Sequence, residues 1–300
     1  MNQIDIDWGY LLERLERLLD LGEEALSRHL EESDFDLQLF AEAIAMRWQP
    51  QHPAGPLVAV EHPDLPDHGD LVGLGRALQR LRRNTLQFVR GYPANNVLLW
   101  GERGSGKSTA VKGLLREFSD QGLRLIEVQK DHLCQLPLII ALLRGRPQRF
   151  LLFCDDLSFS EDEGSYRELK ALLEGGIEAR PDNVLVYATS NRRHLMPERM
   201  ADNTGEGEIH PEESVAEKLS LSDRFGITLG FYPMTQEGYL QVVRHWAERL
   251  GLTVPAAELE RQALLWALSR GARSGRVARQ FVDDLGGRLA LAAEGLLEDD

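Results

Sequence analysis

The stretch Val97-Leu98-Leu99-Trp100-Gly101-Glu102-Arg103-Gly104-Ser105-Gly106-Lys107-Ser108 decides the fold, because an apolar run of strand type leads straight into the pattern G-x-x-x-x-G-K-[ST]. Each residue type has a chemical task there. The glycines let the backbone curl so that consecutive N–H groups point at phosphate oxygens, Lys107 reaches the β and γ oxygens, and Ser108 offers a hydroxyl to Mg2+. In the next residues Val111, Leu114, Leu115 and Phe118 recur at helical spacing, so a helix N-terminus faces the same phosphates. A glycine-rich octapeptide is in other settings a plain strand-to-helix turn. Here the flanking strand and helix favour a nucleoside triphosphate site built from Gly101, Gly104, Ser105, Gly106, Lys107, Ser108 and Thr109.

Arg149-Phe150-Leu151-Leu152-Phe153-Cys154 ends in Asp155-Asp156, an apolar run closed by two carboxylates. Such a run reads as a strand buried on both faces of a parallel sheet, and its acidic end emerges where open α/β sheets bind ligands. Asp155 is then placed to hold the Mg2+ shell and Asp156 to act as general base on the attacking water. The competing reading is a strand end capped by solvated acids. A further strand, Asn183 to Ala188, ends in Thr189-Ser190-Asn191, polar residues directed at the same sheet edge. Between the two, Tyr166 to Glu174 is helical and Gly175-Gly176 stops it. Alternating strands and helices predict a doubly wound parallel sheet.

The flanking regions differ in texture. Trp8, Leu11, Leu12, Leu15, Leu18 and Leu19 predict a helix over 7–21, and Leu37, Leu39, Phe40, Ala43, Ile44 and Met46 a second from Asp36 to Trp48. Proline and glycine then break the pattern on either side of a short strand-like Leu57-Val58-Ala59-Val60. A helix from about Leu74 to Arg90 follows, introduced by a loop Asp70 to Gly75. Beyond Thr235, a helix N-cap, Leu240, Val243, Ala247 and Leu250 share a helical face, and Ala256–Ser269 and Arg276–Leu289 continue as helices.

Composition excludes several classes. The chain has 300 residues, 43% of them apolar, with no run of about 18 apolar residues, and an acidic opening where a signal peptide is basic. The expectation is a cytoplasmic protein with no membrane partner. Cys134 and Cys154 lie singly in apolar stretches, which argues for buried thiols rather than a disulfide or a zinc site. His132, His194, His210 and His245 show no metal-ligand spacing, and Trp246 and Trp266 read as packing residues on the C-terminal helices. A net charge of −14 disfavours nucleic acid as a partner; Arg82-Arg83 and Arg192-Arg193 could form a local basic patch, but solvated surface arginines are the better reading.

The ordered set Gly101–Ser108, Asp155-Asp156, Asn191, Ser222-Asp223-Arg224-Phe225-Gly226 and Ser274-Gly275-Arg276 resembles an AAA+ ATPase. More narrowly, Pro93 to Gly101, Tyr187 to His194, Lys218 to Gly226 and Arg273 to Phe281 resemble the bacterial AAA+ family known as domain of unknown function 815, over about Asp70 to Leu285. The resemblance implies ATP with Mg2+ as ligands, hydrolysis to ADP and phosphate, an α/β nucleotide domain over 70–232 and a helical lid over 233–300; it leaves outside it the N-terminal helical region and linker, read from periodicity over 1–69. It also assigns roles. Asn191 would be the sensor that holds the attacking water or the γ-phosphate, Arg224 the finger reaching a neighbouring subunit's site, and Arg276 the lid arginine over its own nucleotide. Arg273 is a rival for the last role, and a purely structural arginine remains an alternative at 224 and 276. The resemblance further implies a homo-oligomer, a ring of which a hexamer is one form. One departure stands out: the family pattern ends its acidic strand in Asp-Glu, whereas this chain has Asp155-Asp156, and the shorter carboxylate leaves slow turnover open.

Three functional readings follow. The first is an oligomeric ATPase that remodels an unidentified protein partner, with the acidic, turn-rich segment 194–218 as a candidate partner loop. The second is a nucleic-acid-associated loader or initiator relative. The third is an ATP-dependent switch with little turnover.

Overall fold

The computed structural model describes residues 14, 17, 38–53, 55–159, 169–170, 172–173, 180–193, 195 and 221–296. The chain divides into two units, residues 1–44 and 45–300. In the first, Arg14, Arg17 and residues 38–42 are helical, and the rest of the helix expected over 7–21 lies outside the described residues. Of the helix expected between the two acidic-edge strands, residues 169–170 and 172–173 are helical and its other positions lie outside the described residues, as do 194 and 196–218 of the acidic segment.

The second unit carries a seven-stranded sheet in the order β2-β1-β4-β5-β6-β3-β7. Its strands are β1 Ala45–Trp48, β2 Leu57–Ala59, β3 Val97–Gly101, β4 Leu123–Glu127, β5 Arg149–Cys154, β6 Val184–Ser190 and β7 Ile227–Phe231. All neighbours are parallel except β1 and β2, so the expected parallel α/β sheet is present with one antiparallel edge strand. Every residue of β6 is buried, as are the last five of β5, which is why both read as unbroken apolar runs. The helices whose full bounds fall among the described residues are α1 Gly75–Val89, α2 Lys107–Phe118, α3 Leu136–Leu143, α4 Gln236–Arg249, α5 Ala256–Arg270 and α6 Gly275–Ala293.

The helix expected from Asp36 to Trp48 is corrected. Helical structure stops at residue 42, and Ala45–Trp48 is a strand. So short a stretch is too little for periodicity to separate helix from strand, and neighbours distant in sequence decide. Met46 pairs with Ile126 and Ala59, while Arg47 sits opposite Glu127 and donates to its carboxylate at 2.7 Å. Residues 45–59, placed by the sequence in the N-terminal region, contribute two strands to the seven-stranded sheet.

One core lies between the sheet and helices α1 and α2, with Leu81, Phe88, Val97, Leu99, Val111, Leu114 and Phe231 among its members. Helices α4, α5 and α6 pack around a second core of their own, centred on Tyr239, Val243, Ala263, Phe281 and Val282. Thr235 accepts from Gly238 N–H at 3.1 Å, the expected cap of α4, and Ser274 caps α6 by accepting from Val277 N–H at 3.3 Å. Cys154 is buried, and that burial pushes its thiol up to about 12. Cys134, expected to be buried, is exposed. It lies on a short 3-10 segment, Lys130–Gln135, in which Leu133 takes the inward position.

Midway along β6 the Tyr187 hydroxyl bonds Asn84 Nδ2 and Thr85 Oγ1, both at 2.9 Å, inside the core. Asn84 in turn exchanges bonds with the backbone of Asn95, which ties α1 to the entry of β3. Tyr187→Phe leaves these buried polar groups short of a partner, and a loss of about 1–3 kcal/mol is expected from urea unfolding. An unchanged midpoint at constant slope would show that the network carries no stability.

Candidate functional site

The strand–loop–helix unit around Gly101–Ser108 forms as its residue types dictate. Gly101 has φ 144°, and a Cβ there would lie 1.9 Å from the Phe231 carbonyl oxygen, so only glycine lets β3 pass β7 and turn. Gly106 adopts a left-handed φ of 97° as N-cap of α2, and no side chain caps the helix N-terminus. The first-turn N–H groups are thus left to a ligand, and no acidic residue in that turn competes for them.

Five of the sequence-predicted side chains meet at the carboxyl edge of the sheet. Lys107 Nζ donates to the Gly101 and Glu102 carbonyls at 2.8 Å each and to Asn191 Oδ1 at 3.1 Å. Ser108 Oγ donates to Asp155 Oδ1 at 2.6 Å, across the end of the intervening β6. Asn191 Nδ2 donates to Asp156 Oδ1, which joins both halves of the cluster. Burial pulls the Lys107 ammonium below the ordinary lysine value, while the Asp156 and Asp155 carboxylates act to keep the proton on. Ser105 Oγ is turned inward onto the Glu102 carbonyl at 2.8 Å.

Beside the loop lies a cavity of about 310 Å3 lined by Gly104–Thr109, Leu71, Val72, Trp246 and Arg276, among others. Together with the phosphate loop, this cavity is lined by Asp70, Leu71, Val72 and Leu74 from the loop that leads into α1. Asp70 binds His245 Nε2 at 2.9 Å and also Arg249, which fastens this loop to α4. Arg276 N–H reaches the Gly104 carbonyl at 3.4 Å, so the start of α6 rests on the phosphate loop. Arg273 instead lines the neighbouring groove with Glu102 and Arg103.

Arg224 is not brought to this cluster. It is exposed and precedes β7, which runs parallel to β3, so it lies at the sheet edge opposite the phosphate loop. Five strand residues at ~3.3 Å each put roughly 16 Å between the two edges. Among the described residues no group of three or more His, Cys, Asp or Glu side chains is placed to hold a metal, so the Ser108–Asp155 pair is the candidate Mg2+ contact. Its chemistry fits a hard cation, which takes a carboxylate, a hydroxyl and otherwise phosphate or water oxygens. No helix among the described residues is long and apolar enough to cross a membrane.

Sequence reasoning gave no role to Thr189, Arg103 or Arg279. Thr189 Oγ1 contacts Asp155, Arg103 lies 3.6 Å from Asp156, and Arg279 stacks 4.1 Å over Trp246 beside the cavity. Only Thr189 carried a signal, as the first of three polar residues ending an apolar strand.

The family model described as protein of unknown function, DUF815, matches residues 41–289. The chain belongs to this family. Among curated proteins, the chromosomal replication initiator protein DnaA 2 of Chlamydia caviae is 22% identical over 218 residues, which cover 70% of this chain and 43% of that protein. The chain thus spans less than half the length of that relative. Among solved structures, a mutant of the Thermotoga maritima RuvB protein superposes with a TM-score of 0.51 at 17% identity, over 76% of this chain and 66% of that one. The Aeropyrum pernix ORC1 protein in complex with DNA gives 0.51 at 18% identity, over 77% and 62%. The fold is that of an AAA+ P-loop NTPase with a helical C-terminal part. The initiator and the DNA-bound ORC1 sit against the expectation, drawn from net charge, that nucleic acid is disfavoured.

Gly104 has φ 74°, and a Cβ there would lie 2.8 Å from Ser274 Oγ and 3.1 Å from Arg276 Cβ. Gly104→Ala forces the loop away from α6 and adds left-handed strain of about 1–2 kcal/mol. Titration with a fluorescent ADP analogue is expected to show affinity about tenfold weaker, which corresponds to ~1.4 kcal/mol. Wild-type affinity would show that α6 does not hold the loop.

Proposed function

We propose that the chain is an ATPase that works as an oligomer, in which Arg224 of one copy completes the site of its neighbour, and that turnover remodels a protein partner. The observation that carries the ATP site is the Ser108 Oγ to Asp155 Oδ1 bond at 2.6 Å, two Mg2+-type ligands from separate motifs already in contact. Ser108 and Asp155 would hold the ion, whose charge would offset that of the phosphates. The first-turn N–H groups of α2 and Lys107 bind the phosphate oxygens. Asp156 accepts the proton of the attacking water, and Asn191, bonded to both Asp156 and Lys107, keeps that carboxylate and the γ-phosphate position in register. Arg276, at the edge of the cavity, adds positive charge from the lid. The position of Arg224 at the opposite sheet edge supports a role in trans, where a guanidinium stabilises charge developing on the transferred phosphoryl group.

A second reading, association with nucleic acid, is favoured by the initiator relative and opposed by the charge of −14. Retention on duplex DNA near physiological salt, lost as salt rises, would establish it in place of the protein-remodelling role.

Phosphate release tests the ATPase reading. Lys107→Ala is expected to abolish turnover, Asp156→Asn to lower it about 10^2- to 10^4-fold, and Arg224→Ala about 10^3-fold or more in assembled protein. Wild-type hydrolysis in Lys107→Ala would sink the central reading, and tight ATP binding by the wild type with no phosphate release would leave a switch.

A further inference from the structure

The turn that follows β5 is held by the end of β6 through a continuous set of bonds. Leu157 N–H donates to the Thr189 carbonyl at 2.7 Å, and Ser190 Oγ donates to the Leu157 carbonyl at 2.6 Å. Within that frame the Thr189 hydroxyl makes two contacts. It donates to Asp155 Oδ1 and accepts from the Asp156 backbone N–H, the latter at 2.9 Å. A hydroxyl has one hydrogen, so its donor capacity is committed to Asp155 and a lone pair to Asp156. Thr189 itself is 1% exposed, and no solvent competes for either bond.

Both residues that it touches need restraint. Asp155 Oδ1 also accepts from Ser108, so the orientation of this carboxylate decides which oxygen meets the serine. Asp156 has φ 54°, a left-handed conformation that few non-glycine residues adopt and that aspartate tolerates better than most. Its backbone N–H has Thr189 Oγ1 as acceptor, and its side chain is held by Asn191, two positions after that threonine. One hydroxyl thus sets the carboxylate on the metal side and the backbone on the water side.

We propose that Thr189 is a positioning residue for this site: by bridging Asp155 and Asp156 it tunes the Mg2+ affinity of the nucleotide-bound protein without touching ion or nucleotide. The inference rests on the reading that Ser108 and Asp155 hold Mg2+. It also gives the short second carboxylate a structural context. Asp156 starts from a left-handed backbone fixed by Thr189, a placement in which glutamate would be more strained.

The test titrates Mg2+ into full-length protein bound to N-methylanthraniloyl-ADP, with wild type, Thr189→Val, Thr189→Ser and Thr189→Ala compared. Valine keeps the shape and removes the hydroxyl; alanine leaves room for a water and serves if the valine variant fails to fold. Loss of an outer-shell partner costs metal affinity about 10- to 100-fold, so the Mg2+ midpoint is expected to rise at least about tenfold in Thr189→Val and to stay near wild type in Thr189→Ser. Affinity for the analogue in EDTA is expected to be unchanged, which a merely structural role would not preserve. A wild-type Mg2+ midpoint in folded Thr189→Val, or an equal loss of binding with and without Mg2+, overturns the positioning role alone. A wild type that binds the analogue identically in Mg2+ and EDTA overturns the Ser108–Asp155 reading and this inference with it.

Discussion

The bond from Ser108 Oγ to Asp155 Oδ1 is the contact on which the site depends, because its partners follow strands that are not neighbours. β3 and β5 flank β6, and the loop leaving β3 has to cross the end of β6 to reach the acid at the end of β5. That crossing needs three parallel strands in register and a helix that begins at once after the loop. The glycines make the crossing possible: Gly101 has no room for a side chain against Phe231, and Gly106 takes a backbone angle that puts α2 on line.

What lies under the crossing is then constrained. The end of β6 is buried, yet it leads into Thr189, Ser190 and Asn191, each of whose polar groups has a partner in the turn after β5 or in Lys107. Buried polar side chains persist only when satisfied in this way. The phosphate loop is braced from the other side by α6, through Arg276 N–H on the Gly104 carbonyl, and the loop after residue 70 is fastened to α4 through Asp70. Among the described residues, the core between the sheet, α1 and α2 and the core of the last three helices both border the cavity beside the phosphate loop.

The parts of this arrangement that were legible in the sequence are those whose residue types have few other uses. Gly101 to Ser108 announces its strand-to-helix turn through glycines at fixed spacing. β5 and β6 show as apolar runs with polar ends, and the cap Thr235 sits where helical periodicity starts. The strand Ala45–Trp48 was not legible, because its identity is decided by β2 and by β4, whose Glu127 pairs with Arg47 eighty positions away. Cys134 misled for a related reason: an apolar neighbourhood in sequence became a 3-10 turn with one inward position, taken by Leu133. The task of Thr189 was invisible because a threonine ending a strand is common, and only the fold brings Asp155 and Asp156 onto its single hydroxyl.

The phosphate loop, the acidic pair and Asn191 lie at one sheet edge and Arg224 at the other, and on the proposed reading a second copy completes the site. The direct measurement is phosphate release per protomer over a wide range of protein concentration, with association followed by sedimentation velocity on the same samples. Activity per protomer is expected to rise with assembly and to level off once the protein is associated. Constant activity per protomer, down to concentrations at which the protein sediments as a monomer, would contradict a site shared between copies.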